Sequence, residues 1–503
     1  MDTSALMLVV NGFAVLCVLA LGCLIVTVVV LYVIDVSQTK HAVRRNYPVI
    51  GRLRYFFEEL GEFFRQYFFA MDREEMPFNR AERSWVYRAA KGVDTTVAFG
   101  SSKDLRPVGT VIFVNTAYPT LDEDAAQPRA VTIGADCEHP YRTASILNIS
   151  GMSYGAISRP AVLALSRGAA QAGIWMNTGE GGLSSFHLEG GADLVFQIGT
   201  AKYGVRDERG ELCDNKLRQL AAHEQVRMFE LKLSQGAKPG KGGILPAAKV
   251  SAEIATIRGI PIGEASISPN RHPEINNEND LLDVIERIRR VTGKPTGFKA
   301  VIGSPDWLEK LFEVIQERGM ASAPDFITVD SGDGGTGAAP MSLIDNVGLP
   351  LRESLPLVVD KLKEYGLRDR TKIIASGKLI TPADVAAAIC AGADFVVSAR
   401  GFMFALGCIQ ALQCNRNTCP TGITTHDKHL QRGLDPTNKA ERVRQYANTM
   451  HHELGVIAHS CGAIEPRRLK RSHCRIVQSS GRSVALNELY PDVQTLNVAG
   501  LAK

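Results

Sequence analysis

Eight short apolar segments, separated by helical segments, begin near residue 146 and constrain the fold more than any other feature of the chain. Parallel strands need long connections, usually helices, so this alternation favours a parallel sheet covered by helices. Eight strands are the number that closes a (β/α)8 TIM barrel, and we predict that fold, with a doubly wound open sheet as the alternative. The predicted strands cover residues 146–150, 174–178, 194–199, 229–234, 296–303, 326–331, 372–376 and 395–399.

Capping signals mark four of the intervening helices. The clearest is the segment that follows Thr381, where Pro382 takes the first helical position and Asp384 completes a capping box. Each of the four helices ends at a glycine, the residue that favours a helix terminus. The predicted helices run from Ser158 to Gly173, from Leu281 to Gly293, from Ser304 to Gly319 and from Thr381 to Gly392.

The N-terminal segment, residues 3–34, contains no charged residue. It is longer than the roughly 20 residues that cross a bilayer, so we predict a transmembrane helix. A signal peptide and a buried helix are the alternatives, but a signal peptide has a basic start and a shorter apolar core. Basic residues follow the run and predict that the rest of the chain lies in the cytoplasm. They are Lys40, His41, Arg44 and Arg45.

An aromatic-rich segment, residues 51–71, comes next. Eight of the fifteen residues from Tyr55 to Phe69 are aromatic, with Arg and Glu between them. The segment is either a helix along the membrane surface, where aromatic rings favour the headgroup level, or a helix packed on the catalytic domain or on a partner. We divide the chain into a transmembrane helix (3–34), a juxtamembrane and connecting region (35–145), the barrel (146–425) and a C-terminal helical extension (426–503).

The overall composition is that of an ordinary globular protein. Apolar residues make up 45% of the 503 residues and charged residues 22%, with a net charge of +4. So small a charge, without a basic stripe, predicts no nucleic-acid partner. The ten cysteines are too few for a disulfide framework in a chain of this length.

Three cysteines lie close together near residue 410. Cys408, Cys414 and Cys419 have the spacing C-x5-C-x4-C, and Pro420 follows the last of them. Compact cysteine runs hold iron–sulfur clusters, and three local ligands favour a three-iron cluster. Buried thiols without a ligand and a zinc site are the alternatives.

A second group of metal-binding residue types lies near the C-terminus. It comprises His451, His452, His459 and Cys461. Their segment has the pattern of an amphipathic helix that ends at Gly462, and we favour the helix over a metal site.

Glycine-rich loops follow four of the predicted strands, at residues 150–155, 177–182, 235–243 and 332–337. In a barrel these loops form the functional face, and glycines let backbone amides approach a flat ring or a phosphate. The loop 332–337 matches G-x-G-x-x-G, but it runs into Pro340 rather than opening a helix. We therefore interpret it as a barrel loop and not as a dinucleotide site.

The turns after the last two strands carry cations. Gly377 and Lys378 follow one strand, and Ala399 and Arg400 follow the other, where barrels commonly bind phosphate. Lys299 lies inside a strand, where a positive charge is rare unless it is paired or tunes a cofactor. We predict a catalytic role for it, with a structural ion pair as the alternative.

Glu180 is a lone acid in the second glycine loop. It is the second candidate catalytic residue, for proton transfer or substrate contact, and an equally simple alternative is that it orders the loop.

Several long motifs, in order, resemble the FMN-binding synthase domain of glutamate synthases. They span about 150–425, over half the chain. The motifs are SGMSYGAIS, NTGEGG, ELKLSQGAKPGKGGILPAAKV, the ISP of SISPNRHPEI, DSGDGGTGAAP, SGKLITPADV and GCIQALQCNRNTCPTGI.

The resemblance implies two cofactors, FMN in the barrel and a [3Fe-4S] cluster on Cys408, Cys414 and Cys419. It also implies a set of FMN contacts from the barrel loops. These are Gly151, Met152, Ser153, Asn177, Gln197, Lys299, Gly377, Lys378, Ala399 and Arg400.

The implied activity is that of an oxidoreductase acting on CH-NH2 donors. It would reductively aminate a 2-oxo acid at reduced FMN, in the simplest case 2-oxoglutarate to L-glutamate. Residue 2 is Asp rather than the cysteine nucleophile of an N-terminal amidotransferase, so we expect no glutaminase domain and an external ammonia or amine source. The expected electron donor is a protein: a ferredoxin, a reductase subunit or a quinone-linked partner. An N-methylglutamate synthase-like enzyme and a membrane-bound electron-transfer subunit are the alternatives.

Overall fold

The computed structural model describes residues 3–493, so the last ten residues of the predicted C-terminal extension lie outside the described part. The chain divides into two compact units, Met1–Ala81 and Glu82–Lys503.

The first unit is helical. Helix α1 (Thr3–Ser37) has an apolar stretch, Met7–Ser37, that is long enough to cross a membrane, with a mean hydropathy of 3.1. The prediction of a long apolar N-terminal helix is therefore confirmed. Further helices follow at Ala42–Asn46, at Gly51–Phe64 (α2) and, as a short π-helix, at Arg65–Phe69.

The second unit contains a closed barrel of eight parallel strands, which confirms the predicted TIM-barrel fold and excludes the open sheet. All eight predicted segments supply a strand. Each strand pairs with its sequence neighbours, and the first pairs with the last, Val397 opposite Asn148. The strands are β1 (Leu147–Ile149), β2 (Met176–Asn177), β3 (Leu194–Ile198), β4 (Val226–Lys232), β5 (Thr296–Val301), β6 (Phe326–Asp330), β7 (Lys372–Ser376) and β8 (Phe395–Ser398).

Two helices of this unit begin at the caps predicted for them. Ser158 accepts a hydrogen bond from the Ala161 amide at the start of α3, and Thr381 and Asp384 form the capping box of α7. The longer helices of this unit are α3 (Arg159–Ala172), α4 (Glu278–Thr292), α5 (Asp306–Arg318), α6 (Leu351–Glu364), α7 (Pro382–Ala391) and α8 (Pro436–Ser460). Shorter helices lie at Arg80–Ala90, Ser185–Glu189, Asp214–Ala221, Ala252–Arg258, Met341–Ile344, Arg400–Leu406, Lys428–Gln431 and Leu486–Leu489.

The amino end of the barrel is closed by an apolar plug. An antiparallel hairpin, Val131–Ile133 with Tyr141–Thr143, contributes Ile133 and Tyr141 to a buried cluster with Trp175 and with strand residues that include Phe326 and Phe395. Because side chains fill this end, the open end is the one where the strands finish, and the functional loops gather there.

The remaining elements lie outside the barrel. A three-stranded antiparallel sheet joins Val111–Phe113, Cys474–Val477 and Ser483–Ala485, and a two-stranded ribbon joins Ile244–Leu245 to Ser266–Ile267. The C-terminal extension is thus helical only in part.

Helix α8 carries the histidines 451, 452 and 459, as the amphipathic pattern predicted. It packs against α3 so closely that a Cβ on Gly168 would lie 2.5 Å from Val443.

Candidate functional site

Two adjoining cavities open at the carboxyl end of the barrel. The first, the strand-end cavity, is lined by residues from β5–β8, including Lys299, Asp330, Ser376 and Ser398. The second, the loop cavity, lies against the glycine-rich loops and encloses about 1020 Å³ including its solvent-facing part. The residues that line both cavities are Gly151, Gln197, Gln235, Gly335, Ala399 and Arg400.

The structure brings most of the predicted site residues to these cavities. Lys299, Gly377 and Lys378 line the strand-end cavity, and Met152, Ser153, Glu180 and Cys414 line the loop cavity. Asn177, Cys408 and Cys419 lie outside both linings but beside lining residues. A Cβ on Gly151, for example, would lie 2.9 Å from the Asn177 Oδ1, so only glycine leaves the cavity wall intact there.

Glu230, in the middle of β4, organises the barrel interior below the cavities. Its buried carboxylate accepts hydrogen bonds from Asn177 Nδ2 (2.9 Å), Gln197 Nε2 (2.6 Å) and Thr328 Oγ1 (2.6 Å). These bonds fix the amides of two predicted FMN contacts. Sequence reasoning missed Glu230, although a carboxylate inside a barrel strand was the available signal.

Lys299 forms a buried ion pair with Asp330 on the neighbouring strand β6. The Lys299 Nζ lies 3.2 Å from the Asp330 Oδ2, which also accepts the Gly236 amide at 2.9 Å. Burial alone would lower the pKa of Lys299, but Asp330 and Glu230 raise it above its ordinary value. Lys299 is therefore a fixed positive charge in the cavity wall. The ion pair with Asp330 does not conflict with the predicted role beside a cofactor, because the paired ammonium still lines the cavity.

Glu180 lies among three cations. Its Oε1 is 2.8 Å from the Lys232 Nζ, and Lys238 and Arg258 act on it electrostatically. Burial alone would raise the pKa of Glu180, but these cations hold it below its ordinary value. The Glu180 carboxylate is therefore ionised. Its one negative charge faces three positive side chains, which leaves a net charge of two positive units in this group.

Lys238 and Arg258 were not predicted as site residues. Burial and repulsion from Lys232 lower the pKa of Lys238 to about 8. The Arg258 guanidinium donates to Ser266 Oγ and the Tyr154 carbonyl, but its buried Nε has no hydrogen-bond partner within residues 3–493.

The two cationic turns lie side by side because β7 and β8 are paired. Lys378, at a positive φ of 54°, donates to the Asp333 carboxylate at 2.8 Å. Gly377 has a φ of 124°, and a Cβ there would lie 2.3 Å from Ser331. Arg400 donates to the Thr336 carbonyl at 2.6 Å.

The cysteine segment forms a tight loop after the helix Arg400–Leu406. Gln410, Leu412 and Asn417 adopt positive φ angles of 59°, 55° and 61°, which costs energy for residues other than glycine. Such a strained loop is held by its surroundings and is typical of a functional segment.

The three sulfur atoms have polar neighbours. Cys408 Sγ accepts the Gln410 amide at 3.5 Å, Cys414 Sγ lies 3.9 Å from the Arg400 Nη1, and Cys419 Sγ lies 3.3 Å from the Thr421 hydroxyl. Burial alone would raise the pKa of Cys419, but hydrogen bonds from Thr421 and Thr424 lower it. Burial raises the pKa of Cys408.

Across the part of the chain that the structure describes, no group of three or more His, Cys, Asp or Glu side chains could hold a metal ion. This finding covers the histidines of α8 and Cys461 as well as the three cysteines of the loop.

Residues 101–463 match the family described as the conserved region in glutamate synthase. The chain belongs to the glutamate synthase family. It is therefore an enzyme of the oxidoreductase class, and the family supports FMN as the cofactor of the barrel.

Curated relatives agree with this assignment. The glutamate synthase large subunit-like protein YerD of Bacillus subtilis strain 168 is 40% identical, over 91% of this chain and 94% of its own. The archaeal glutamate synthase [NADPH] of Methanocaldococcus jannaschii is 35% identical over 70% of this chain. The alignment spans 65% of that relative's length.

Solved structures share less sequence identity with the chain than these relatives do. An oxidised active mutant of (S)-mandelate dehydrogenase is 14% identical over 78% of this chain and 98% of its own, with a TM-score of 0.46.

Proposed function

We propose that this chain is a membrane-anchored, glutamate synthase-like enzyme that reductively aminates a 2-oxo acid, in the simplest case 2-oxoglutarate to L-glutamate. The observation that carries the proposal is the pair of adjoining cavities that share Gln197 and Arg400. One is suited to a cofactor and the other to an anionic substrate.

The strand-end cavity fits FMN. Gly377, Lys378, Ala399 and Arg400 supply two turns with cations for the phosphate, while Gln197 and Lys299 supply a donor amide and a fixed cation for the ring. When bound, FMN supplies hydride transfer and accepts electrons one or two at a time.

The cysteine loop supplies three thiols, the ligand type that holds iron–sulfur clusters. Polar groups lie beside all three sulfur atoms, and such neighbours tune the potential of a cluster. We propose Cys408, Cys414 and Cys419 as the ligands of a [3Fe-4S] cluster. Arg400, which contacts the Cys414 Sγ and lines the strand-end cavity, connects the two cofactor sites.

The loop cavity fits a 2-oxo dicarboxylate. Lys232, Lys238 and Arg258 face the single carboxylate of Glu180, so two positive charges remain for two substrate carboxylates. Arg258, which lines the loop cavity, is the proposed cation for one of them.

Glu180 is the proposed general base. The nitrogen of ammonia becomes positively charged and acidic when it attacks the keto carbon, and the ionised Glu180 carboxylate can accept the proton that the nitrogen then loses. Glycines give this carboxylate its space, since a Cβ on Gly243 would lie 2.4 Å from the Glu180 Oε1.

Anaerobic turnover with a chemical reductant tests the proposal. The full chain in detergent receives a panel of 2-oxo acids with ammonium, glutamine or methylamine, and Glu180→Gln is the matched variant. We expect the wild-type chain to form glutamate from 2-oxoglutarate and ammonium. In Glu180→Gln we expect kcat to fall roughly 100-fold or more while the cofactor content stays unchanged. Product from methylamine alone would favour the N-methylglutamate synthase-like alternative. Reducible cofactors without any turnover of a 2-oxo acid would indicate an electron-transfer subunit.

We further propose that α1 crosses the membrane and that the catalytic unit lies in the cytoplasm, where a donor protein delivers the electrons. The one charge near the end of α1, Asp35, is fully buried and bonded by Arg52 (2.8 Å), Arg44 (3.2 Å) and the Val49 amide (3.0 Å). These hydrogen bonds to Asp35 stabilise the turn of the chain that follows the apolar helix.

Helix α2 then presents an apolar face suited to the membrane surface. Leu53, Phe56, Phe57 and Phe64 recur at helical spacing and are exposed. Of the two alternatives for this segment, we therefore propose the interfacial helix.

A further inference from the structure

Lys249 is a buried cation whose surroundings the proposed mechanism does not explain. It ends the 3₁₀ turn Ala247–Lys249, after the glycine-rich loop that follows β4, and only 2% of it is exposed. Its ammonium donates to the carbonyls of Thr424 (2.6 Å), Cys414 (2.7 Å) and Ala156 (3.3 Å). A lysine ammonium has three N–H donors, so each of them has a partner.

The three acceptors belong to two separate loops. Ala156 lies in the loop after β1, which also carries the predicted FMN contacts Gly151–Ser153. Cys414 and Thr424 belong to the cysteine segment, more than 250 residues farther along the chain. One ammonium therefore ties the cofactor loop to the cysteine loop.

No carboxylate compensates this charge. Within residues 3–493 no Asp or Glu oxygen lies within 4 Å of the Lys249 Nζ, although buried charges are normally paired. The ammonium donates instead to the main chain of the cysteine loop, at the carbonyls of Cys414 and Thr424. The arrangement suits a partner that carries negative charge at the cysteine loop.

We propose that Lys249 is a positioning residue for the iron–sulfur cluster. Its positive charge raises the midpoint potential of the cluster, and its hydrogen bonds hold the cysteine loop against the cofactor loop. The inference rests on the proposed cluster. Reduction adds one electron, and no bond forms or breaks. A buried positive charge stabilises the more negative, reduced state, because electrostatic interactions are strong where water is excluded.

A redox titration of the cluster, monitored by electron paramagnetic resonance, tests the role of Lys249. The full chain is compared with Lys249→Met and with Lys241→Met, which removes the same charge from an exposed position in the glycine-rich loop just before Lys249. We expect Lys249→Met to lower the equilibrium constant for cluster reduction about tenfold, which is 59 mV for one electron. Lys241→Met and Lys249→Arg should keep the wild-type potential.

The outcomes separate the two proposals. A wild-type protein without a cluster signal would overturn the proposed function. A cluster whose potential is the same in wild type and Lys249→Met would overturn the role of Lys249 alone. If Lys249→Met does not fold, Lys249→Gln keeps an N–H donor without the charge, and an unchanged potential in that variant would contradict the proposal equally.

Discussion

The Arg400 Nη1 lies 3.9 Å from the Cys414 Sγ, and the Arg400 Nη2 donates to the Thr336 carbonyl at 2.6 Å. One guanidinium thereby joins the end of β8, the glycine-rich loop after β6 and the cysteine loop. The proposed cofactor sites share this wall, which gives electrons a short path between them.

Replacing Arg400 should weaken FMN binding. Arg400→Met removes a cation from the turn proposed to bind the phosphate, and we expect a dissociation constant at least about tenfold higher, or roughly 1.4 kcal/mol. Flavin fluorescence titration of the apoprotein measures it. The control is Arg416→Met, which removes an exposed arginine from the cysteine loop. Equal affinity in both variants would argue against Arg400 as a phosphate ligand.

Lys299 should contribute to both stability and catalysis. Lys299→Met leaves Asp330 buried without its cation, which typically costs about 3–5 kcal/mol of unfolding free energy. Lys299→Met/Asp330→Asn removes both charges and should recover part of that loss, as thermal unfolding will report. Activity should stay low in both variants, because the fixed cation beside the cofactor is absent. Full activity in the double variant would reduce Lys299 to a structural ion pair.

Substrate binding should weaken above about pH 8. The pKa of Lys238 is lowered to about 8, so its ammonium is charged below that pH and neutral above it. A charged Lys238 attracts a substrate carboxylate, and the KM for the 2-oxo acid should therefore rise as the pH passes 8. Lys238→Arg keeps its charge and should flatten the profile. If the wild-type KM stays constant from pH 7 to 9, Lys238 does not contact the substrate.

Helix α2 should lie in the membrane surface. In proteoliposomes containing brominated lipids, Phe57→Trp should gain fluorescence that the bromine quenches, because Phe57 is on the exposed apolar face. Glu58→Trp, next along the helix but on its polar side, serves as the control and should be quenched less. Equal quenching at the two positions would indicate that the helix is not oriented by the bilayer.

Local signals were sufficient to predict the barrel. Strand alternation located all eight strands, and caps such as Ser158 and Thr381 located helix ends, because both signals lie within a few residues of the element they define. The glycine loops likewise predicted where the site lies, since every strand of a barrel ends at the same face.

Long-range pairings were not predictable. Glu230 binds partners on three other strands, and Lys249 joins loops far apart in sequence. Lys238 and Arg258 were not predicted as site residues, and only the fold shows that they lie near Glu180. Such contacts depend on the register of the strands and on the closure of the barrel. Neither can be read from the residues next to a position in the sequence.

Cofactor content of the full chain, purified anaerobically in detergent, tests the proposed function most directly. We expect about one FMN and about three iron atoms per chain, with a cluster signal in electron paramagnetic resonance that disappears in Cys414→Ser while FMN remains. A protein whose spectrum shows neither flavin nor iron–sulfur absorption would contradict the proposed function.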